Sequence, residues 1–302
     1  MQAKIVVVGS LNMDLVVRTP RVPVGGETLA GHSFVTAPGG KGANQAVACA
    51  RLGGQVTMIG CVGRDAYGDQ LRQGLEGEGI ECSTVESIEG VPTGIASILV
   101  DDKGQNCIVI VAGGNGELTP ERLARHDAAL QEAEIVITQL EVPVATVEKT
   151  LARAHELSKT VILNPAPAVG PLPVHWYSHV DYLIPNESEA SSLTGIEVNS
   201  QETAVQAAQK LLDAGAKHVL LTMGAQGVLY KDATRQQHFP AQVVQTIDTT
   251  AAGDTFVGGF AAALSEGQSL DDAIRLGQQA AAVSVTRAGA QPSIPFRREL
   301  KD

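Results

Sequence analysis

Short, mostly apolar runs at 5–8, 56–59, 135–138, 161–163, 182–184 and 219–222 alternate along this chain with stretches of helical periodicity at 42–52, 66–78, 121–131, 144–157, 203–214, 253–265 and 270–285. Brief runs without polar alternation suit strands covered on both faces. Helices that follow such strands directly carry the chain back over the sheet, and right-handed crossovers then make the strands parallel. The expected fold class is therefore α/β, with a mostly parallel central sheet flanked by helices. Aromatic residues are 3% of the total and hydrophobic residues 44%, so the core must be aliphatic. No linker, repeat or low-complexity segment divides the chain, which reads as one domain over 1–302.

Two stretches break the rhythm. Alternating apolar positions, Pro20, Pro23 and the Gly25-Gly26 pair mark 15–35, and 93–112 reads as two strands, 95–100 and 107–111. A hairpin signal at 101–104 joins those two. Together the stretches predict a small separate β layer, either a lid over a site or two surface hairpins with no moving role.

A net charge of −11 and a pI near 5.1 argue against a nucleic-acid partner, because an acidic chain repels a phosphate backbone. A small anion such as ATP is still open, since local amides can hold it. Cys49, Cys61, Cys82 and Cys107 form no C-x-x-C pair, and the seven histidines are scattered without metal-ligand spacing. A reduced, cytoplasmic setting is the expectation. The apolar run after Lys4 is too short for a signal peptide, and no run approaches a membrane span, so no membrane partner is expected.

Three glycine-rich segments carry the chemistry. Gly39-Gly40-Lys41-Gly42-Ala43-Asn44-Gln45 precedes an apolar helix. Its glycines bring backbone amides close to a polyhydroxy ligand or an anion, or else serve close packing alone. It is no Walker loop, because no Ser or Thr follows Gly40-Lys41. The segment Asp248-Thr-Thr-Ala-Ala-Gly-Asp254 opens another helix, whose first-turn amides can form an anion hole for charge on a transferred phosphoryl group. Asp254 then stands where a carboxylate can take an acceptor hydroxyl's proton, unless it is an ordinary first-turn acid. Thr222-Met-Gly-Ala-Gln-Gly227 follows a strand, at the end where open α/β sheets bind ligands. No G-x-G-x-x-G fingerprint supports a dinucleotide-dependent oxidoreductase.

These segments sit among others in a fixed order: GSLNMD at 9–14, GGKGANQAV at 39–47, QLE at 139–141, NPAPA at 164–168, NESE at 186–189, TMGAQG at 222–227, DTTAAGDTF at 248–256 and TRAGAQPSIP at 286–295. With this set the chain resembles, nearly end to end, the ribokinase-like family of carbohydrate kinases. The resemblance implies ATP-dependent phosphorylation of D-ribose at its primary (O5) hydroxyl with Asp254 as base; the alternative is another pentose or a nucleoside, such as 2-deoxyribose. On the sugar side it implies contacts from Asn12, Met13, Asp14, Gly40, Lys41, Gly42, Ala43, Asn44 and Glu141. On the nucleotide side it implies Asn186 and Glu189 near the ATP phosphates and hydrated magnesium, with Thr222, Met223, Gly224, Ala225, Gln226 and Gly227 as a nucleotide loop. Gly253 adds an amide, and Gln278 lies near the adenine. It further implies an activating potassium ion at Asp248, Thr250, Ser284, Arg287 (through its carbonyl), Gly289 and Ser293, and a homodimer joined through the β lid. The intact Asp254, Gly253, Asn186 and Glu189 set speaks against a non-catalytic sensor on the same fold.

Overall fold

The computed structural model describes residues 3–168 and 170–300. In chain order the strands are β1 (Lys4–Val8), β2 (Asn12–Arg18), β3 (Ser33–Gly39), β4 (Gln55–Gly63), β5 (Val85–Ile88), β6 (Gly94–Val100), β7 (Asn106–Val111), β8 (Ile135–Thr138), β9 (Thr160–Leu163), β10 (Tyr182–Leu183), β11 (His218–Thr222), β12 (Val228–Lys231) and β13 (Gln236–Phe239). The helices are α1 (Lys41–Arg51), α2 (Ala66–Gly77), α3 (Pro120–Arg125), α4 (Asp127–Glu132), α5 (Val144–Glu156), α6 (Val174–Tyr177), α7 (Glu187–Thr194), α8 (Gln201–Asp213), α9 (Ala252–Ser265) and α10 (Leu270–Ser284).

Nine strands form one sheet in the order β13-β12-β11-β10-β9-β8-β1-β4-β5. All pairings from β11 to β5 are parallel, and β12 and β13 add an antiparallel edge. The α/β expectation is met. Side chains alternate across β1: Ile5 and Val7 join a core with α1, α9 and α10, while Val6 and Val8 join the opposite core with α5 and α8. That period-2 split is why the strand runs read as apolar throughout.

The winding fixes where a ligand goes. From β1 the chain runs outward through β4 and β5, then returns to the other side of β1 with β8 and proceeds to β11. At this reversal the loops leaving β1 (9–11) and β8 (139–141) lie side by side, at the strand ends where an open sheet usually holds its ligand in a crevice.

The second sheet has the order β3-β2-β6-β7, with β2 and β6 parallel in the register Asn12↔Gly94 to Arg18↔Val100. Both stretches that broke the rhythm contribute to it, though β2 begins at Asn12 and β3 runs on to Gly39. Asn12 and Asp14 therefore sit where the two sheets join. The helix expected over 121–131 is two helices, α3 and α4, with His126 between them at φ −105°, ψ 19° and its ring nitrogen 3.0 Å from Glu86 Oε1 on β5. β5, β13, α6 and α7 are too short for their periodicity to register in the sequence. No helix among the described residues is long and apolar enough to cross a membrane.

Candidate active site

Two helices with glycine-rich starts meet at the crevice. α1 begins after Gly40, which has φ 89°. A Cβ on Gly40 would lie 2.7 Å from the Asn12 amide nitrogen, and one on Gly42 would lie 2.5 Å from that of Ser10. These glycines let α1 rest against the 9–12 segment. The amides at its start are already engaged: Lys41 N donates to Glu141 Oε2 (3.0 Å), Gly42 N to Ser10 Oγ (3.3 Å) and Ala43 N to the Ser10 carbonyl (2.9 Å). These three amides hold protein oxygens. What α1 presents instead is side chains, with Lys41, Asn44 and Gln45 at i, i+3 and i+4 on one face.

Other sugar-side residues divide in the same way. Ser10 Oγ donates to Glu141 Oε2 at 2.5 Å, which joins the loops after β1 and β8. Asn12 Oδ1 accepts from Asn115 Nδ2 (2.7 Å), and Asn115 also bonds the Leu11 backbone. Met13 and Ala43 bury their side chains in the core, so each has only backbone to offer a ligand.

α9 starts differently. Its N-cap, Ala251, has φ 58° although it carries a Cβ, a conformation that costs a non-glycine residue about 1–2 kcal/mol. The Gly253 and Asp254 amides have no acceptor among the described residues, and a Cβ on Gly253 would meet nothing within 4 Å. Free amides at a helix N-terminus facing open space suit an anion. Asp254 is buried, with Oδ2 accepting from Asn44 Nδ2 (3.0 Å) and Oδ1 from Gln45 Nε2 (2.9 Å). The helices come this close because Gly258, one turn beyond Asp254, packs on Ala48, one turn beyond Asn44. A Cβ on Gly258 would lie 2.3 Å from the Ala48 Cβ.

Asp254 and Gly253 line a cavity of about 200 Å³ together with Lys41, Asn164, Asn186, Glu189 and Thr222. Burial, and then the charges of Glu141 and Asp254, push the Asp14 carboxyl up to about 7. Burial disfavours the Lys41 ammonium, yet Asp254, Glu141 and Glu189 leave it above the usual lysine range. Burial likewise raises Glu189, against the opposing pull of the Asn186 backbone donor and Lys41. Asn186 and Glu189 also cap α7: Asn186 Oδ1 accepts from Glu189 N (2.8 Å), and Glu189 Oε2 accepts from Asn186 N (2.9 Å).

In the loop after β11, Thr222 reaches the cavity, Met223 is buried, and Gly224, Ala225 and Gln226 are exposed. Gly227 has φ 101°, and a Cβ there would lie 2.1 Å from the Phe239 carbonyl oxygen, so only glycine fits. Gln278 is set apart from Asp254. It lines a second cavity of about 320 Å³ with His238, Phe239 and Arg275, and donates to the Phe239 carbonyl (2.9 Å).

Of the expected cation residues, three come together. Asp248 Oδ1 accepts from Thr250 N (2.9 Å) and Oγ1 (2.6 Å), and Oδ2 accepts from Gly289 N (2.9 Å). Burial resists ionisation of Asp248, and these bonds overcome it, holding the carboxyl below its usual range. Ser284 and Ser293 are buried and donate to the Ala281 and Ala290 carbonyls, while Arg287 pairs with Glu299 at 2.8 Å. Among the described residues no group of three or more His, Cys, Asp or Glu could hold a metal.

Reasoning from the sequence passes over Gln45, Asn115, Gln139 and Asn164. All four are buried amides bonded within the crevice. The available signal is that three of them lie inside the ordered motifs, where an amide amid apolar residues needs a partner.

A buried carboxylate beside the free amides of a helix start, at the carboxyl ends of a parallel sheet, is an arrangement that suits phosphoryl transfer to an alcohol. Residues 2–297 match the model of the pfkB family carbohydrate kinases, and the chain belongs to that family. The ribokinase of Haemophilus influenzae is 42% identical over 299 residues, covering 99% of this chain and 97% of that protein. The deoxyribokinase of Salmonella typhi is 37% identical over 298 residues, with 99% and 97% covered. The structure of Arabidopsis thaliana ribokinase complexed with ribose and ATP matches with a TM-score of 0.93 at 35% identity, over 99% of this chain and 97% of that one. The chain is a sugar kinase.

Proposed function

We propose that this kinase transfers the terminal phosphoryl group of ATP to the primary (O5) hydroxyl of D-ribose. The observation that supports the reading is that Asp254 and Gly253 line one cavity at the same helix start, so that a carboxylate and backbone amides face one space. Asp14 and Glu141 accept bonds from ring hydroxyls, and Asn44 and Lys41 complete the sugar's cradle. Asp254 takes the O5 proton as that oxygen attacks phosphorus. The Gly253 and Asp254 amides, with Lys41, meet the negative charge that develops. Such a reaction needs positioning and charge neutralisation more than covalent help.

Glu189, the carboxylate that shares the cavity wall with Asp254, fits a magnesium ion that keeps most of its water, and Asn186 lies beside it. Magnesium supplies charge neutralisation at the phosphates. The Asp248, Thr250 and Gly289 cluster is where we place the potassium ion, beside a carboxylate that Thr250 and the Gly289 amide already orient. Potassium there would order residues 249–253. Loop 222–227 and Gln278 then serve the nucleotide.

We read the second sheet as a lid within one domain. β7 is exposed throughout, and Phe34, Val35, Val109 and Ile110 are each at least half exposed. A homodimer that covers this apolar sheet is the reading those residues support. Four free thiols accord with the cytoplasm.

The test is kcat/KM for ribose and for 2-deoxyribose with ATP and magnesium. Ribose is expected to be preferred by at least about tenfold, since a site built to bond a hydroxyl rejects the analogue lacking it. Preference for 2-deoxyribose would reassign the sugar, and turnover of neither would reject the pentose.

A further inference from the structure

We infer that Gln45 is a positioning residue for phosphoryl transfer, orienting the Asp254 carboxylate as the middle member of a chain of buried amides. The inference rests on the reading of Asp254 as the base.

The chain crosses the crevice through four segments. Gln45 on α1 is fully buried, and its Nε2 carries two protons. One goes to Asp254 Oδ1 on α9 (2.9 Å), the other to Asn164 Oδ1 after β9 (3.0 Å). Gln45 Oε1 accepts from Gln139 Nε2, after β8, at 2.6 Å. Asn164 Nδ2 donates to the Ile184 carbonyl at 2.9 Å, which leaves its oxygen to face Gln45.

Only one orientation of Gln45 satisfies this set. Turned over, its carbonyl would face the Asp254 and Asn164 oxygens together, and its NH₂ would face the NH₂ of Gln139. Asn164, itself held by its bond to Ile184, and the acceptor-only Asp254 carboxylate therefore set the polarity of Gln45, which presents an N–H to Asp254, while Gln139, whose Oε1 has no partner among the described residues, turns its NH₂ to Gln45 Oε1. With Asn44 donating to Oδ2, both carboxylate oxygens are gripped and the group cannot swing about its last side-chain bond. Each oxygen keeps a lone pair for the substrate hydroxyl. Reacting groups lose much of their advantage when misplaced by about 1 Å, so the network's contribution lies in the catalytic step and not in sugar binding.

The experiment is a double-mutant cycle in the full chain with Gln45→Met and Gln139→Met, side chains of similar size without the amide. Rates are measured against ribose and ATP, with Asp254→Asn as reference. Gln45→Met is expected to lower kcat by about 10- to 100-fold, the range for groups that orient a functional one, with the ribose KM within about threefold. Gln139→Met, which reaches Asp254 only through Gln45, is expected to lower kcat by about 3- to 10-fold, and the double variant to match Gln45→Met alone. The proposal is overturned by a Gln45→Met kcat within about twofold of the parent, by a loss confined to KM, or by additive losses in the double variant. Should Gln45→Met fail to fold, Gln139→Met decides alone: a kcat loss at constant KM supports the chain, and an unchanged kcat rejects it. Full activity in Asp254→Asn would reject the base itself. An inactive Asp254→Asn beside an unaffected Gln45→Met rejects only the network.

Discussion

The starts of α1 and α9 look alike in the sequence and do opposite work. Each is a small-residue turn into an apolar helix. At α1 the glycines are demanded by backbone on the other side, since a Cβ on Gly40 or Gly42 would collide with residues 9–12, and the first-turn amides bond Ser10 and Glu141. At α9 a Cβ on Gly253 meets nothing within 4 Å, two amides are unpaired among the described residues, and the tight conformation falls on an alanine. One helix brings charged and amide side chains to the crevice; the other brings backbone donors and one carboxylate. A glycine-rich helix start therefore implies close approach, but what approaches must be read from what a side chain would strike.

The largest expected effect tests the division itself. Asp254→Asn should lower kcat by about 10³-fold, within the span assigned to a positioned base, with the ribose KM nearly unchanged. A loss under about tenfold in steady-state turnover would mean that the first-turn acid is only a helix acid. The next effect separates the two starts. Gly42→Ala should cost about 2–4 kcal/mol in urea unfolding, because its methyl group meets the backbone at Ser10 and Gly9. Gly253→Ala should leave stability within about 0.5 kcal/mol, yet lower kcat by about tenfold by filling the space the anion needs. If the two alanines behaved alike in both assays, the contrast between packing glycine and site glycine would fail.

How much of this could be read from residues alone follows the same line. The parallel core was legible because a strand buried on both faces has no alternation to hide, as in Val6 and Val8 against Ile5 and Val7. The helix start that carries Gly253 and Asp254 was legible from its small residues and the apolar spacing after them, while the residues alone left Asp254 either a base or an ordinary first-turn acid. Met13 was placed by resemblance among the sugar contacts, and the fold put its side chain in the core. Gln45, Gln139 and Asn164 lie inside the ordered motifs, but nothing local said which groups they bond. A buried amide's meaning is its partner, and the partners of Gln45 lie 94, 119 and 209 residues along the chain, at 139, 164 and 254. The break at His126 escaped for the same reason, because Glu86 lies 40 residues away.

The smallest effect probes the side-chain half through pH. Asp14 has its carboxyl raised to about 7 by burial and by the charges of Glu141 and Asp254. A group raised above its unfolded value of 3.8 contributes stability that is complete below that value and lost as pH rises through about 7. The ligand-free protein therefore loses this contribution across that window, and sugar runs the other way. Hydroxyl donors need the ionised carboxylate, so the ribose KM should rise about threefold between about pH 7.5 and 6.5, as the ionised fraction falls. Asp14→Asn should raise the KM throughout and remove that slope. Gly253→Ala, altered at the amide half, should keep the slope while kcat stays low. Steady-state kinetics of the three proteins across this range sets the halves against each other: a slope that survives in Asp14→Asn assigns the titration to another carboxylate of the crevice, and a slope absent from the parent removes Asp14 from the sugar's contacts.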